Sequence, residues 1–487
     1  MLIDLNNEKI RETRYDVCVY GAGPAGITLA RALAGKGKSV ALIEGGGLDF
    51  SDESQSLYDG KSIGNIQDWN AVKNCRLRYF GGTSNHWGGR CGIFDPIDFE
   101  GRDHYKLPGW PISRDDVLRY LPKALEIVDL PSNALPLVHP PLDSNRFRLS
   151  EKALSRPPTR FGKKYLDEIK SSPKINTYIN ANLVNLNLRE NGSSLAGTEV
   201  RNFRGDSFVF TADQHVLALG GIENARILLN ADKQQKSGVG NHSGMVGRCF
   251  MDHLNVSYGR FVVEDQQAME HGLELNPTET LMRTQRIGNG VLVFDPHTDA
   301  RTYGRLKDLK KAARDALCKS EFTTDIFRKF ADFDCPGDGV ITSMIEQSPN
   351  PDSRILLDSE RDPFGLRRVK LDWRMSDADR KTIRVLGIEA AKELARMKIA
   401  RVQLKDFILD DHMEITDTGP HCHHMGTTRM SSDPRFGVVD ANCRVHGISN
   451  LYIAGSSVFS TSGGINPTLT IVMLALRLGE HISHLAG

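Results

Sequence analysis

A histidine-rich segment near residue 423 carries side chains that can do chemistry. His421, Cys422, His423 and His424 follow one another, and an imidazole can accept a proton near neutral pH. The same residue types could bind zinc, but neighbouring side chains point in different directions and no C-x-x-C or H-x₃-H partner lies nearby. We therefore expect no metal here.

A glycine-rich turn near the start of the chain predicts a bound dinucleotide. Gly21, Gly23 and Gly26 form a G-x-G-x-x-G pattern, and Glu44 follows 18 residues beyond Gly26. The first glycine permits a tight turn, the second lets the backbone approach a pyrophosphate, and the third lets helix and strand pack closely. Glu44 is placed to accept hydrogen bonds from ribose hydroxyls. A plain structural turn is the alternative.

The sequence around these residues alternates between strands and helices. Short apolar runs end in glycine and are followed by helix-forming segments, which is typical of a parallel sheet. The predicted strands are 15–20, 39–44, 214–219 and 450–454, and the predicted helices are 27–34, 222–229 and 467–482. The pattern predicts a Rossmann-type α/β domain.

The middle of the chain lacks this alternation. Its predicted strands, of antiparallel type, are 340–347, 354–358 and 368–373, and its predicted helices are 303–319 and 376–397. We predict a discontinuous nucleotide-binding domain, residues 1–255 and 414–487, with an inserted α+β substrate domain, 256–413, built on an antiparallel sheet. Residues 100–160 could pack partly against the inserted domain.

Three local expectations can be compared with the structure. Ser113 should cap a helix over 113–128 that is interrupted at Pro122. The proline-rich run 134–158 should be an irregular surface connection. Residues 207–211 should form a short strand separate from 214–219.

Composition narrows the class of protein. The 487 residues are 39% hydrophobic and 25% charged, which is ordinary for a soluble globular protein. A net charge of +1 gives no electrostatic reason to bind nucleic acid or an anionic membrane. We find no secretory signal and no run long enough to span a bilayer. The eight scattered cysteines predict reduced thiols in a cytoplasmic protein.

Four motifs together resemble the glucose–methanol–choline (GMC) oxidoreductase family over nearly the whole chain. They are the glycine turn with Glu44, the run Gly81-Gly82-Thr83-Ser84, the run at 220–226 and the block at 419–470. In detail, Ser84-Asn85-His86-Trp87 and Asn466-Pro467-Thr468-Leu469-Thr470 are similar to the pyranose-oxidase-like, sugar-oxidising branch. The resemblance implies FAD as the tightly bound redox group.

The resemblance also implies the catalytic residues. His423 would take the hydroxyl proton as the substrate carbon gives a hydride to flavin N5, and Asn466 would orient the substrate oxygen. Both would therefore contact the substrate. Pro467 would occupy the first helical position, so that the positive helix end points toward the flavin. Because Asn before Pro is a good N-cap, a purely structural Asn466 is the alternative.

A larger set of residues would hold FAD by the same resemblance. They are Gly21, Gly23, Pro24, Ala25, Gly26, Glu44, Gly45, Gly81, Gly82, Thr83, Ser84, His86, Val184, Gly220, Asn224, Gly455, Ser456, Asn466, Pro467 and Thr468. In the sugar-oxidising branch the residue that matches His86 is bonded covalently to the flavin 8α carbon. A non-covalent contact is the alternative here.

Two features outside these motifs could also be functional. Gln347 ends a predicted strand and could bind a substrate hydroxyl, although an ordinary exposed strand end is equally compatible. The predicted helix 303–319 has a basic face that could dock on a membrane or an electron-accepting partner. We favour a solvated helix there.

The expected function is FAD-dependent oxidation of a hydroxyl group in a sugar, glycoside or similar polar alcohol. Dioxygen or another acceptor would reoxidise the flavin, and an oligomer is compatible with the sequence. A lyase or decarboxylase that keeps FAD without net redox change is one alternative. A flavin-stabilised binding protein with an inactive site is another.

Overall fold

A computed structural model describes residues 1–8, 10, 13–66, 70–136, 142–296 and 338–485. The strands are β1 Leu2–Asp4, β2 Arg14–Tyr20, β3 Val40–Ile43, β4 Gly60–Gly64, β5 Arg90–Gly92, β6 Phe147–Leu149, β7 Lys152–Leu154, β8 Ile175–Ile179, β9 Asn182–Leu188, β10 Leu195–Arg201, β11 Ser207–Leu217, β12 Leu254–Val256, β13 Gly259–Val263, β14 Leu273–Pro277, β15 Gly290–Pro296, β16 Asp338–Ile345, β17 Arg354–Arg361, β18 Arg367–Trp373, β19 Ala400–Leu404, β20 Thr418–Pro420 and β21 Leu451–Ile453.

The helices complete the description. They are α1 Pro24–Gly35, α2 Asp52–Ser56, α3 Asn70–Lys73, α4 Pro96–Phe99, α5 Arg114–Leu118, α6 Leu121–Ile127, α7 Phe161–Ser171, α8 Gly220–Asn230, α9 Glu279–Gln285, α10 Asp377–Arg396, α11 Asp406–Leu409 and α12 Thr468–Ser483. The predicted basic helix 303–319 lies outside the described residues.

The first sheet confirms the predicted Rossmann-type α/β arrangement. Strands β1, β8, β3, β2 and β11 lie side by side and parallel, and β21 pairs with the end of β11, also parallel. Strand β10 extends the sheet antiparallel to β11, and β9 pairs antiparallel with β10. In such folds the carboxyl ends of the parallel strands form the edge at which ligands bind. The turns after β2, β3, β11 and β21 all lie at this edge.

The second sheet is antiparallel, as the middle of the chain predicts. Its order is β19-β13-β16-β15-β14-β6, and β12 pairs with both β16 and β20. Strands β6, β12 and β20 come wholly or largely from outside residues 256–413, so this sheet recruits three pieces of flanking chain. A smaller sheet joins β17 and β18 to β4.

The local expectations have mixed outcomes. The Ser113 hydroxyl accepts the N–H of Asp116 at 3.1 Å, and the helix breaks between α5 and α6 near Pro122, as predicted. The prediction of separate strands at 207–211 and 214–219 is wrong, because β11 runs through both. The run 134–158 is not wholly irregular, since β6 and β7 lie within it.

The first and last long helices pack against each other. A Cβ atom added at Gly479 of α12 would lie 3.0 Å from the Ala32 Cβ of α1, so the missing side chain permits this close approach. Both helices begin at the ligand-binding edge of the first sheet. Within the described ranges, no helix combines the length and apolar character needed to cross a membrane.

Candidate active site

A cavity of ≈ 430 Å³ lies at the carboxyl edge of the first sheet and extends to the histidine segment. This volume is within the usual range of about 300–1,000 Å³ for small-molecule sites. The predicted site residues that line it are Gly21, Gly23, Pro24, Ala25, Glu44, Gly45, Gly82, Thr83, Ser84, His86, Gly220, His423, Gly455, Ser456, Asn466, Pro467 and Thr468.

The glycine turn between β2 and α1 has the geometry that close packing requires. Gly21 has φ +104°, and a Cβ added at Gly26 would lie only 1.8 Å from the carbonyl oxygen of Gly21. In contrast, a Cβ added at Gly23 would meet nothing within 4 Å. The helix therefore sits tightly on the strand, while space remains beside Gly23 on the approach to the helix N-terminus.

Glu44 is held over the same turn by two backbone groups. The N–H groups of Ala22 and Gly46 donate to its two carboxylate oxygens at 2.8 and 2.9 Å. The side chain is buried but lines the cavity. Each carboxylate oxygen has further lone-pair capacity, so Glu44 can still accept a hydrogen bond from a hydroxyl group in the cavity.

The loop at 81–86 packs on the glycine turn. The N–H of Gly81 donates to the carbonyl of Ala22 at 2.9 Å, and a Cβ on Gly82 would lie 3.2 Å from the Gly23 Cα. His86 faces the cavity from the end of this loop. Partial desolvation lowers the pKa of His86, so its imidazole is neutral near neutral pH.

The structure brings His423 and Asn466 together, although 43 residues separate them. Asn466 Nδ2 lies 3.1 Å from His423 Nε2, and both side chains line the cavity. Pro467 occupies the N-cap position of α12, and no side chain accepts a hydrogen bond from the N–H groups of the first turn. Asn466 is therefore not the N-cap, and Pro467 precedes the first helical residue instead of occupying it.

Burial and neighbouring imidazoles control the charge of His423. Desolvation lowers the pKa of His423 well below its ordinary value, and His253, His421 and His424 lower it further because a second positive charge there would be repelled. The side chain keeps an exposed portion that faces the cavity. His423 is therefore a neutral imidazole that can accept a proton.

A buried carboxylate holds the backbone of the histidine segment. Asp252 accepts the N–H groups of Cys422 and His423 at 3.0 and 2.8 Å. Cys422 has φ +64°, the left-handed conformation that few residues other than glycine adopt, and here neighbouring N–H groups converge on one carboxylate. Burial raises the pKa of Asp252 to about 7.

Two predicted cysteine thiols form a disulfide instead. Cys75 and Cys422 are bonded across 347 residues, with Cα atoms 5.2 Å apart, and both line the cavity. The prediction of reduced thiols is therefore wrong for this pair. The other cysteines of the described residues, namely Cys18, Cys91, Cys249 and Cys443, are free and buried.

Removing the Cys75–Cys422 disulfide is expected to destabilise the folded protein. Because the bond closes a very long loop, Cys75→Ala/Cys422→Ala should lower the free energy of unfolding by about 2–4 kcal/mol. The measurement is denaturant unfolding of the holoprotein with and without a thiol reductant. The reductant should lower the stability of the parent to that of the variant and leave the variant unchanged. Equal unfolding midpoints for parent and variant without reductant would contradict the expectation.

Gln347 does not reach the cavity, contrary to the expectation that it binds substrate. Its side chain is fully buried. The Oε1 atom accepts from the Asp252 N–H and the Trp373 indole, each at 3.0 Å, and Nε2 donates to the Arg374 carbonyl at 2.9 Å. Gln347 is therefore buried away from the cavity, and its amide oxygen supports the backbone of Asp252.

Four predicted cofactor residues also lie behind the cavity wall. Gly26 and Gly81 contribute close packing, as described above. Ala181, Asn182 and Leu183 form the wall where Val184 was expected. Asn224 accepts the Leu219 N–H at 2.9 Å and donates to the Ser457 hydroxyl at 2.9 Å, so it ties together the chain segments after β11 and β21.

The fold and the cavity define a class of protein: a Rossmann-type α/β fold with a cavity at the sheet edge where such folds bind dinucleotides. Residues 349–475 match the GMC oxidoreductase family. This part of the chain is similar to that family, whose members bind FAD. The cavity fits such a group, because it combines open space beside Gly23, the accessible carboxylate of Glu44 and the N-termini of α1 and α12.

Individual relatives agree with this assignment. The chain is 25% identical to 6'''-hydroxyparomomycin C oxidase of Streptomyces lividus, over 97% of this chain and 92% of that protein. It is 34% identical to C-glycoside 3-oxidase of Microbacterium trichothecenolyticum over a shorter stretch, 26% of this chain and 23% of that protein. A solved structure of formate oxidase from Aspergillus oryzae has a TM-score of 0.61 at 17% identity, covering 97% of this chain and 99% of the other. This last likeness shows the fold alone.

Sequence reasoning missed three residues that shape this site. Asp252 and His253 form no recognisable spacing with the histidine segment, since about 170 residues separate them from His423. Their only local signal is a pair of ionisable side chains in the run 249–256, in which the remaining residues except Asn255 are apolar. Cys75 carries no local signal at all, because the sequence does not show which cysteine it meets.

Proposed function

We propose that the protein oxidises a hydroxyl group of a sugar, glycoside or similar polar alcohol to a carbonyl, using FAD. The observation that carries the proposal is the His423–Asn466 pair, which faces the same cavity as the glycine turn. The relatives 6'''-hydroxyparomomycin C oxidase and C-glycoside 3-oxidase support the choice of a sugar-like alcohol.

When bound, FAD supplies a hydride acceptor. The chain supplies the proton acceptor, because the hydroxyl of an alcohol must lose its proton as the carbon loses a hydride. His423 Nε2 is the atom in this role, and a positioned base of this kind contributes about 10²–10⁴ to the rate. Asn466 cannot exchange protons near neutral pH, so its amide orients the hydroxyl oxygen toward the imidazole.

Four other parts of the cavity wall would hold the cofactor. The N–H groups at the start of α1 would bind the pyrophosphate, and Glu44 would accept hydrogen bonds from the ribose. The N-terminus of α12, beside Pro467 and Thr468, offers its positive end to the flavin ring. His86, which lines the cavity from the loop at 81–86, would contact the flavin. Acid precipitation distinguishes its two bonding modes, since covalently bound FAD stays with the precipitate and non-covalent FAD is released.

Anaerobic mixing tests the proposed function. The flavin absorbance of the holoprotein is followed after addition of sugars, aminosugars, glycosides and simple alcohols. Bleaching with a sugar-like alcohol, and formation of the matching carbonyl product, is the expected result. Product formation without bleaching would support a lyase or decarboxylase. Neither change with any compound would support a binding protein with an inactive site. Readmission of dioxygen then shows whether it restores the absorbance or whether an artificial acceptor is required.

The rate of flavin reduction is expected to stay constant as pH falls through 6.5, the ordinary pKa of histidine. A base whose pKa is lowered keeps its lone pair until the pH falls through that lowered value. The nearby groups His253, His421 and His424 act in the same direction, because positive charge on any of them opposes protonation of His423. Rapid-mixing reduction over a pH series measures this. A tenfold fall per pH unit that begins near 6.5 would contradict it.

A further inference from the structure

A buried histidine, His253, lies directly behind His423. Its side chain is fully buried, and its ring stands at 87° to the ring of His423. The Nδ1 atoms of the two rings are 2.9 Å apart. A hydrogen bond between two imidazole nitrogens needs a proton on one and a lone pair on the other.

The second ring nitrogen of His253 decides where that proton is. Nε2 of His253 lies 2.8 Å from the carbonyl oxygen of Gly463 and 3.1 Å from that of Ser462. Backbone carbonyl oxygens only accept hydrogen bonds, so Nε2 must carry a proton. These carbonyls are fixed in place, because the Ser462 hydroxyl accepts the Gln347 N–H and donates to the Gln347 carbonyl, each at 3.0 Å.

His253 is neutral, so its two nitrogens differ. Burial lowers the pKa of His253 to about 4. A neutral imidazole with a proton on Nε2 has a lone pair on Nδ1, and this lone pair faces His423. The proton of the shared hydrogen bond must therefore belong to Nδ1 of His423.

We propose that His253 is a positioning residue that holds His423 in the Nδ1–H tautomer, so that Nε2 keeps the lone pair that faces the cavity. Asn466 Nδ2 lies 3.1 Å from this Nε2, where an amide N–H₂ can donate to a lone pair but would collide with a second N–H. In the opposite tautomer no base would face a substrate hydroxyl. This inference rests on the proposed function in one respect, the identity of His423 as the base.

Fixing the tautomer of a catalytic imidazole has a large effect on the reaction rate. Which nitrogen of an imidazole is protonated is set by the hydrogen bond that the other nitrogen makes. In a serine protease triad, substitution of the group that fixes the tautomer lowers kcat about 10⁴-fold. A residue that only packed the 462–463 segment in place would have no such effect on the chemical step.

Two variants separate the positioning role from simple anchoring. In His253→Asn the amide oxygen reaches the position of Nδ1 and can still accept the proton of His423, while the contact with the 462–463 carbonyls is lost. In His253→Gln the amide N–H₂ reaches the position of Nε2 and keeps those carbonyls, but no acceptor remains for His423. We expect His253→Gln to slow anaerobic flavin reduction at least 10-fold more than His253→Asn. The reverse order would assign His253 to anchoring and overturn the proposal.

A spectroscopic measurement tests the proposal even if both variants fail to fold. Nitrogen NMR of the resting holoprotein labelled with [¹⁵N]histidine reports which ring nitrogen carries a proton, and His423→Ala identifies the signals of His423 by their loss. We expect a protonated Nδ1 and an unprotonated Nε2. A protonated Nε2 would overturn the tautomer assignment. Since this readout needs no substrate, it is independent of whether any alcohol bleaches the flavin.

Discussion

Replacing His423 with alanine is expected to slow flavin reduction by about 10²–10⁴-fold while FAD stays bound. The imidazole is the group with a lone pair opposite Asn466, and its low pKa keeps that lone pair available near neutral pH. Its removal should not disturb the glycine turn, which other segments build. The measurement is rapid-mixing reduction under anaerobic conditions with the alcohol that bleaches the parent most quickly.

A matched control is His446→Ala. His446 is a half-buried histidine whose Nε2 bonds the backbone carbonyl of Ser431 at 3.0 Å, and it does not line the cavity. Its loss should leave the reduction rate within about twofold of the parent, because a group that contacts neither the cavity nor His423 does not stabilise the transition state. If His423→Ala were reduced as fast as the parent, another group would have to be the base.

Replacing Gly26 with alanine is expected to weaken FAD binding at least 10-fold, which corresponds to about 1.4 kcal/mol. The new Cβ would lie 1.8 Å from the Gly21 carbonyl oxygen, a backbone atom that cannot move independently of β2. The start of α1 must then shift away from the strand, and with it the N–H groups that would bind the pyrophosphate. Flavin content after purification and titration of the apoprotein with FAD measure the effect.

Gly35→Ala is the control for this substitution. Gly35 is the last residue of the same helix, and a Cβ there would meet nothing within 4 Å. The variant should bind FAD like the parent. Retention of FAD by Gly26→Ala with an unchanged dissociation constant would mean that the helix N-terminus does not hold the cofactor.

The sequence predicted those parts of the fold that local patterns determine. The glycine turn, the strands that flank it and the capped helix α5 each depend on a few neighbouring residues, so their patterns are complete within a short window. A short window could not predict that residues 207–217 form one continuous strand, β11. Polar residues such as Gln214 interrupt the apolar run, but pairing with β2, β10 and β21 keeps the chain extended through them.

The site was predicted less completely, because tertiary contacts decide the use of each polar group. Gln347 stands at a strand end in the sequence, yet three internal hydrogen bonds occupy its amide. Asp252, His253 and Cys75 each act on the histidine segment from a distant part of the chain. Such partners lie at no fixed spacing from the histidine segment, so no sequence motif predicts them.

The late position of β21 and α12 has a consequence for synthesis. While the chain leaves the ribosome, β2, β3 and β8 can already associate, but the end of β11 lacks its neighbour until residues 451–453 have been made. The apolar face of α1 that packs on α12 waits longer still. An unpaired strand edge and an uncovered apolar helix are sites of wrong association. Throughout most of translation the nascent protein therefore presents surfaces that molecular chaperones recognise. A chain truncated before β21 and α12 cannot bury these surfaces.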